Sequence, residues 1–256
     1  MSLKEIKTIG VIGAGAFGEF MVPHLAAHFE VMITDPNRDC ASLAETLHVS
    51  AGTLEEVCAR DAVIFAAPLN VLEDVLTEIA PKLTKDQLFI EVCSVKCKPV
   101  ELLKKYLPEG MEAVALHPLF GPQSGRNGIA GLNIAVCDVF GEDRALCVKD
   151  FLHDKLKLHA FMTTPEQHDY EMSYVMGITH MMGKVFSMMD VPETQQQTRT
   201  FQLLNEMVRM IKNDSDELFR TIQRDNPFVE ATKEKFFASV KALEERLRDD
   251  KTSKKG

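Results

Sequence analysis

One stretch of this chain carries side chains suited to moving a proton on a bound ligand: His117-Pro118-Leu119-Phe120-Gly121-Pro122-Gln123-Ser124-Gly125. An imidazole, with an ordinary pKa of ~6.5, accepts and releases protons near neutrality. The apolar run Ala113-Val114-Ala115-Leu116 before it reads as a short buried strand. Pro118, Gly121, Pro122 and Gly125 then hold the chain in an irregular loop. A histidine at a strand end, followed by a rigid loop, is well placed to act on a ligand. A strand-end histidine bonded only to its own turn would look the same in isolation, so the rest of the chain has to decide.

A second constellation supplies a hydride acceptor. The apolar run Thr8 to Ile12 leads into Gly13-Ala14-Gly15-Ala16-Phe17-Gly18 and then into a helical stretch from Glu19 to Leu25. A second strand-type run, Glu30 to Thr34, ends in Asp35, 22 residues after Gly13. Strand, Gly-x-Gly-x-x-Gly, helix and then an acid is a dinucleotide-binding pattern. Gly13 makes the tight turn, Gly15 lets backbone approach a pyrophosphate, and Gly18 lets the helix pack on the strand. The first turn of the helix, with Ala16 and Phe17, offers unpaired N–H groups to the phosphates. Asp35 suits the ribose hydroxyls and would repel a 2′-phosphate, so NAD is the expected cofactor. Arg38 is a residue type that accommodates such a phosphate, which keeps NADP open.

The elements that must position these residues follow from the same reading. Asp61 to Pro68 reads as a third strand with a loop at Ala66-Ala67-Pro68, and Asn70 to Leu83 as an amphipathic helix. Gln87 to Val92 is a fourth strand leading into Cys93-Ser94-Val95-Lys96, Lys98 to Tyr106 a helix, and Met111 to Leu116 a fifth strand. Asn133 to Cys137 and Lys157 to Phe161 are the last two strands, with a helix from Asp143 to Leu152 between them. Strands alternating with helices predict a Rossmann-type, doubly wound, mostly parallel sheet with right-handed crossovers. Ligands sit beyond the carboxyl ends of such strands. That rule gathers the glycine loop, Asp35, Ala67, Pro68, Ser94, Lys96 and His117 on one rim.

After about Thr163 the strand-type runs stop. A helix capped by Thr164 runs to about Asp190, and Thr194–Lys212, Asp214–Arg224 and Pro227 to about Leu247 read as three more, before a polar tail from Lys251 to Gly256. The expected organisation is a dinucleotide-binding domain over 1–162 and an all-helical domain over 163–256. On the first long helix, Tyr174, Ile178, Met181, Met182, Val185 and Met189 form an apolar stripe at 100° per residue. Asp169, Ser173, Gly177, His180 and Lys184 form a second, small and polar face, suited to a cleft or simply to solvent. The concentration of methionines between 162 and 210 suits a core or a subunit contact.

Composition excludes several classes. The 256 residues are 45% hydrophobic with a net charge of −9 and no basic stripe, which argues against nucleic acid or an anionic membrane as partner. No apolar run approaches ~18–20 residues, so no membrane span is expected. The polar opening Met-Ser-Leu-Lys-Glu-Ile-Lys does not read as a signal peptide, so a cytoplasmic protein is expected. The cysteines form no Cys-x-x-Cys pair and read as free thiols, and no metal-ligand spacing is present.

Taken together, these residues resemble the prephenate and arogenate dehydrogenases. His117-Pro118-Leu119-Phe120-Gly121-Pro122 resembles that family's His-Pro-Met-Phe-Gly-Pro signature, and Cys93-Ser94-Val95-Lys96 its Ser-Val-Lys element. Glu166-Gln167-His168-Asp169 with Ile178-Thr179-His180 resembles its His-Asp and second-histidine helix. The longer form through Gln123-Ser124-Gly125 is most like the plant-type arogenate enzymes. The resemblance implies oxidative decarboxylation of a cyclohexadienol with hydride transfer to NAD(P), in tyrosine biosynthesis. It implies His117 as base, Ser94 as its helper and His180 as a further substrate-site histidine. Ser124 and Lys96 are implied near the substrate, and an arginine on its carboxylate: Arg209 by context, with Arg220 and Arg224 as alternatives. Asp214 is implied opposite the amino group that arogenate has and prephenate lacks. A homodimer through the helical domain is also implied. Two rivals follow from the residues: a β-hydroxyacid dehydrogenase using Lys184, and a non-catalytic NAD-binding sensor.

Overall fold

A computed structural model describes residues 5–212 and 214–252. The first compact unit runs to His168 and the second begins at Asp169, six residues after the boundary expected at 162/163.

The first unit is built on an eight-stranded sheet in the order β3-β2-β1-β4-β5-β6-β7-β8. The strands are β1 Thr8–Ile12, β2 Glu30–Thr34, β3 Ser50–Ala51, β4 Ala62–Phe65, β5 Leu88–Glu91, β6 Glu112–Pro118, β7 Asn133–Phe140 and β8 His159–Met162. The helices are α1 Ala16–Ala26, α2 Cys40–Leu47, α3 Leu54–Cys58, α4 Leu72–Ile79, α5 Cys97–Tyr106 and α6 Glu142–Asp154. Strands β1 to β6 are mutually parallel, with Val11 opposite Ile33 on one side and Ile64 on the other. The central strands read as continuous apolar runs because both faces of the sheet are covered. Val11, Ile33, Ile64 and Val114 pack with Val22, Leu25, Val148 and Leu152. Val63, Phe65, Phe89 and Ala113 pack on the other face with Leu72, Leu76, Val100 and Leu103.

Two features correct the sequence reading. The two-residue edge strand β3 is too short to show a period. More consequentially, β7 runs antiparallel to β6, so β7 and β8, which are parallel to each other, oppose the other six strands. The physical reason is the connection: no helix intervenes between Pro118 and Asn133. Without a crossover helix the chain returns beside the strand it left. The loop after His117 therefore turns back along the sheet instead of crossing a face.

The second unit is helical: α8 Thr179–Met188, α9 Arg199–Lys212, α10 Asp216–Arg220 and α11 Val229–Thr252, preceded by α7 Pro165–Met172, whose first turn carries His168. The helix expected to run evenly from Thr164 to Asp190 contains a π-helical stretch at Ser173–Ile178, and a second follows α10 at Thr221–Asp225. Helix α9 starts at Arg199 rather than Thr194 because Thr198 caps it, its hydroxyl accepting the N–H of Phe201 at 3.2 Å. The face read as small and polar is the buried one: Asp169, Ser173, Gly177 and His180 are all buried, whereas Tyr174, Met182, Val185 and Met189 of the apolar stripe are exposed. Of the tail expected over 251–256, residues 253–256 lie outside the described residues. All six cysteines are free thiols. No helix among the described residues is long and apolar enough to cross a membrane.

Candidate active site

The glycine loop joins β1 to α1 beside β4, where the strand order reverses. Gly13 has a φ of +105°, and a Cβ there would stand 2.6 Å from the backbone nitrogen of Ala67. A Cβ on Gly18 would stand 2.1 Å from the carbonyl oxygen of Gly13. Both glycines are thus fixed by close backbone approach, and the half-buried Ala67 and exposed Pro68 form the neighbouring wall. Gly15 differs, since a Cβ there would meet nothing within 4 Å. It caps α1 without a side-chain hydrogen bond, with exposed Ala16 and half-buried Phe17 in the first turn. Open space before uncapped helix N–H groups fits the pyrophosphate of a dinucleotide.

Asp35 does more than the pattern predicts. Its Oδ2 accepts the N–H of Ala14 at 2.8 Å and its Oδ1 that of Asn37 at 2.8 Å. The carboxylate ties the glycine loop to the end of β2. Each oxygen keeps a second lone pair, enough for the hydroxyls of a ribose.

His117 is the penultimate residue of strand β6 and is only 4% exposed. Its Nδ1 is 2.8 Å from Nε2 of His168, with the rings edge to face. Burial, then the charges of His168 and Lys96, hold its pKa well below the usual 6.5. The ring is therefore neutral at pH 7. If Nδ1–H donates to His168, Nε2 is left bare as a proton acceptor. Nε2 has no hydrogen-bond partner among the described residues.

Lys96 differs from the rim position expected of it. It is fully buried and ion-paired with Glu91, also fully buried, while its Nζ donates to the carbonyl of Leu116 at 2.6 Å. Glu91 in turn accepts the N–H of Cys93 at 2.7 Å. Lys96 is spent on the strand end that carries His117 and lies beneath the surface a ligand would touch. Ser94 sits half-buried in the loop above. Ser124 closes its own turn, its hydroxyl accepting the N–H of Gly121 at 2.9 Å. That turn rests on α1, where a Cβ on Gly125 would stand 2.5 Å from Cζ of Phe20.

The other candidates belong to the second unit. The π-helical stretch turns His180 so that its Nδ1 donates to the carbonyl of Met176 at 2.9 Å, while Nε2 meets Asp214 at 3.0 Å. Gln223 donates to the carbonyl of Gly177 at 2.7 Å. Side chains thus satisfy carbonyls around the π turn, a distortion that often marks functional positions. Arg209 is exposed in the last turn of α9, Arg220 faces Glu217 at 3.9 Å, and Arg224 pairs with Asp225 at 3.1 Å. Lys184, the residue a β-hydroxyacid dehydrogenase would need, pairs with Asp216 at 3.1 Å and lies over the Phe219 ring.

Reading from residues to roles missed two partners. His168 stands 51 positions from His117 and was marked only by resemblance. Glu91 had a signal: a carboxylate inside an apolar buried strand must find a counter-charge.

Comparison with known proteins covers both units. Residues 25–133 match the nucleotide-binding domain of prephenate dehydrogenase, and residues 164–254 its dimerization domain. The first match begins past the glycine loop, which therefore rests on its own geometry. The chain is 30% identical to arogenate dehydrogenase 2 (chloroplastic) of Arabidopsis thaliana over 86% of its length and 64% of that relative's. It is 29% identical to arogenate dehydrogenase 1 of the same plant over 82% and 35%. The chain thus spans between about a third and two thirds of these relatives. In fold it resembles prephenate dehydrogenase from A. aeolicus, solved with hydroxyphenyl propionate and NAD+, with a TM-score of 0.77 at 18% identity over 96% of this chain and 92% of that one.

Proposed function

Because the chain belongs to the prephenate dehydrogenase family, we propose that it catalyses the NAD-dependent oxidative decarboxylation of arogenate or prephenate. The observation that carries this reading is the buried His117–His168 pair at the end of β6, in a sheet whose rim also bears the glycine loop. Bound NAD supplies a two-electron acceptor for the hydride from C4 of the cyclohexadienol. His117 Nε2 takes the C4 hydroxyl proton as that hydride leaves. His168 accepts from Nδ1 and so keeps the proton-accepting nitrogen free. When the bond from the ring to the carboxylate breaks, carbon dioxide departs and its electron pair aromatises the ring. The oxygen at C4 then recovers the proton from His117, which restores the base. By the family resemblance Ser94 orients the hydroxyl, and His180 and Arg209 are the second unit's own candidates for binding substrate.

Asp35 favours NAD over NADP. The plant-type loop and the two plant relatives favour arogenate over prephenate. The second unit makes a homodimer, since Val185, Met188, Met189, Val240, Leu243 and Leu247 are exposed in a single chain, Met188 by 83%.

The test follows absorbance at 340 nm with arogenate or prephenate, each with NAD or NADP. Reduction of NAD with arogenate is expected to dominate. No reduction with either substrate would overturn the reading, and turnover of a 3-hydroxy acid would favour the Lys184 rival. Light scattering is expected to give twice the chain mass.

A further inference from the structure

The loop that follows Asp35 contains one cation, Arg38, and the structure shows where it points. Its Nη2 donates to Oε2 of Glu19 at 2.8 Å, and both side chains are close to half exposed. Glu19 is the residue immediately after Gly18, in the first turn of α1. Arg38 is flanked by Asp35 and Asp39, both of which act on the nearby Cys40 thiol together with Arg38. Asp39 is itself engaged with Ser42 at the start of α2. The side of the glycine loop that faces the end of β2 thus holds three carboxylates against one guanidinium, and one carboxylate holds that guanidinium.

We propose that Glu19 is a specificity-determining residue for the dinucleotide: it engages Arg38 and so denies a cation to a 2′-phosphate. This rests on the NAD reading above. Asp35 accounts for repulsion of a phosphate on its own, but its two oxygens are also committed to the backbone of Ala14 and Asn37. Exchanging it would disturb the loop as well as the selectivity. Glu19 has no such structural duty, since its side chain is close to half exposed and pairs with Arg38. The pair is weak, as exposed ion pairs are, so it withholds Arg38 without locking it.

The test is equilibrium binding of NAD+ and NADP+ by titration calorimetry, with no turnover required. In Glu19→Gln the dissociation constant for NADP+ is expected to fall about three- to tenfold, with that for NAD+ changing less than twofold. The gain should be lost in Glu19→Gln/Arg38→Ala and should shrink at 0.5 M salt, where the Debye length is only a few ångströms. An unchanged NADP+ affinity in Glu19→Gln would overturn the proposal. A gain that persists in the double variant would also overturn it, because Glu19 would then act by its charge alone. Tighter binding of NADP+ than NAD+ by the wild-type chain would instead remove the NAD reading on which the proposal stands.

Discussion

His117 in the first unit and His180 in the second are both mostly buried, at 4% and 8% exposure, yet their partners give them different chemistry. His117 meets another imidazole on one side and has its second nitrogen unengaged. Desolvation works against its charged form, and no carboxylate offsets it. His180 has a carbonyl on one nitrogen and the one-third-exposed Asp214 on the other. A neutral ring with one bare nitrogen can take a proton from a hydroxyl. A ring engaged on both sides is suited to holding a polar group in place. The comparison teaches that burial alone does not make a base; the partner decides which nitrogen is available.

The largest test of that contrast removes each ring in turn. His117→Asn is expected to lower kcat by ~10²–10⁴-fold, the usual contribution of general base catalysis, with NAD+ affinity unchanged. His180→Asn should act mainly on KM. Equal losses of kcat in the two variants would break the comparison. In the wild type, the acid limb of kcat/KM should lie below pH ~6.5 because the pKa of His117 is lowered. The sign for stability follows from linkage. The unfolded chain binds this proton more readily than the folded one, so the stability His117 contributes is present above ~6.5 and is lost as pH falls. His117→Asn should therefore flatten the fall of Tm with pH in that range.

The next effect tests what lies beneath His117. Lys96→Met leaves Glu91 buried without its counter-charge and should cost about 3–5 kcal/mol of stability, read from the urea unfolding midpoint. Lys96→Met/Glu91→Leu should recover most of that loss. If the single variant is as stable as the wild type, the pair does not hold the end of β6. A smaller effect is expected from His168→Leu, about 10–100-fold in kcat by analogy with other partners that orient a histidine. Gln at 168 still offers an acceptor for Nδ1–H and should recover part of the rate. Equal rates for the Leu and Gln variants would show that His168 does not set the tautomer.

How much of this was legible beforehand depended on range. The glycine loop is local: Gly13, Gly18 and Asp35 stand in one βαβ unit, and their spacing states their geometry. The rim was legible too, because it follows from strands alternating with helices. What escaped were facts set by distant pairing. The antiparallel return of β7 depends on a missing helix between Pro118 and Asn133, which the apolar pattern of the strand does not record. The burial of Lys96 depends on Glu91, and the tautomer of His117 on a residue in α7. The membership of the polar face of the 164–190 helix was legible, but whether it met a cleft or solvent was not. Its Ser173, Gly177 and His180 turn inward because their hydrogen bonds are met by Thr232, Gln223 and Asp214.

The smallest expected effect bears on the His180 side of the comparison. Asp214 meets His180 at 3.0 Å, and the proposed function would also set its carboxylate opposite the substrate's amino group. Arogenate carries an ammonium group where prephenate carries a keto oxygen, so only arogenate gains from a negative charge there. Asp214→Asn keeps the shape and an acceptor but removes the charge. For a side chain one-third exposed the gain from that charge is modest, so the ratio of kcat/KM for arogenate over prephenate should fall about three- to tenfold. The loss should appear chiefly in KM, because an interaction with a group remote from C4 is made equally in ground and transition states. A ratio that does not change would mean that Asp214 serves only to hold His180. The choice of substrate would then rest with the Gln123-Ser124-Gly125 turn, on the His117 side of the molecule.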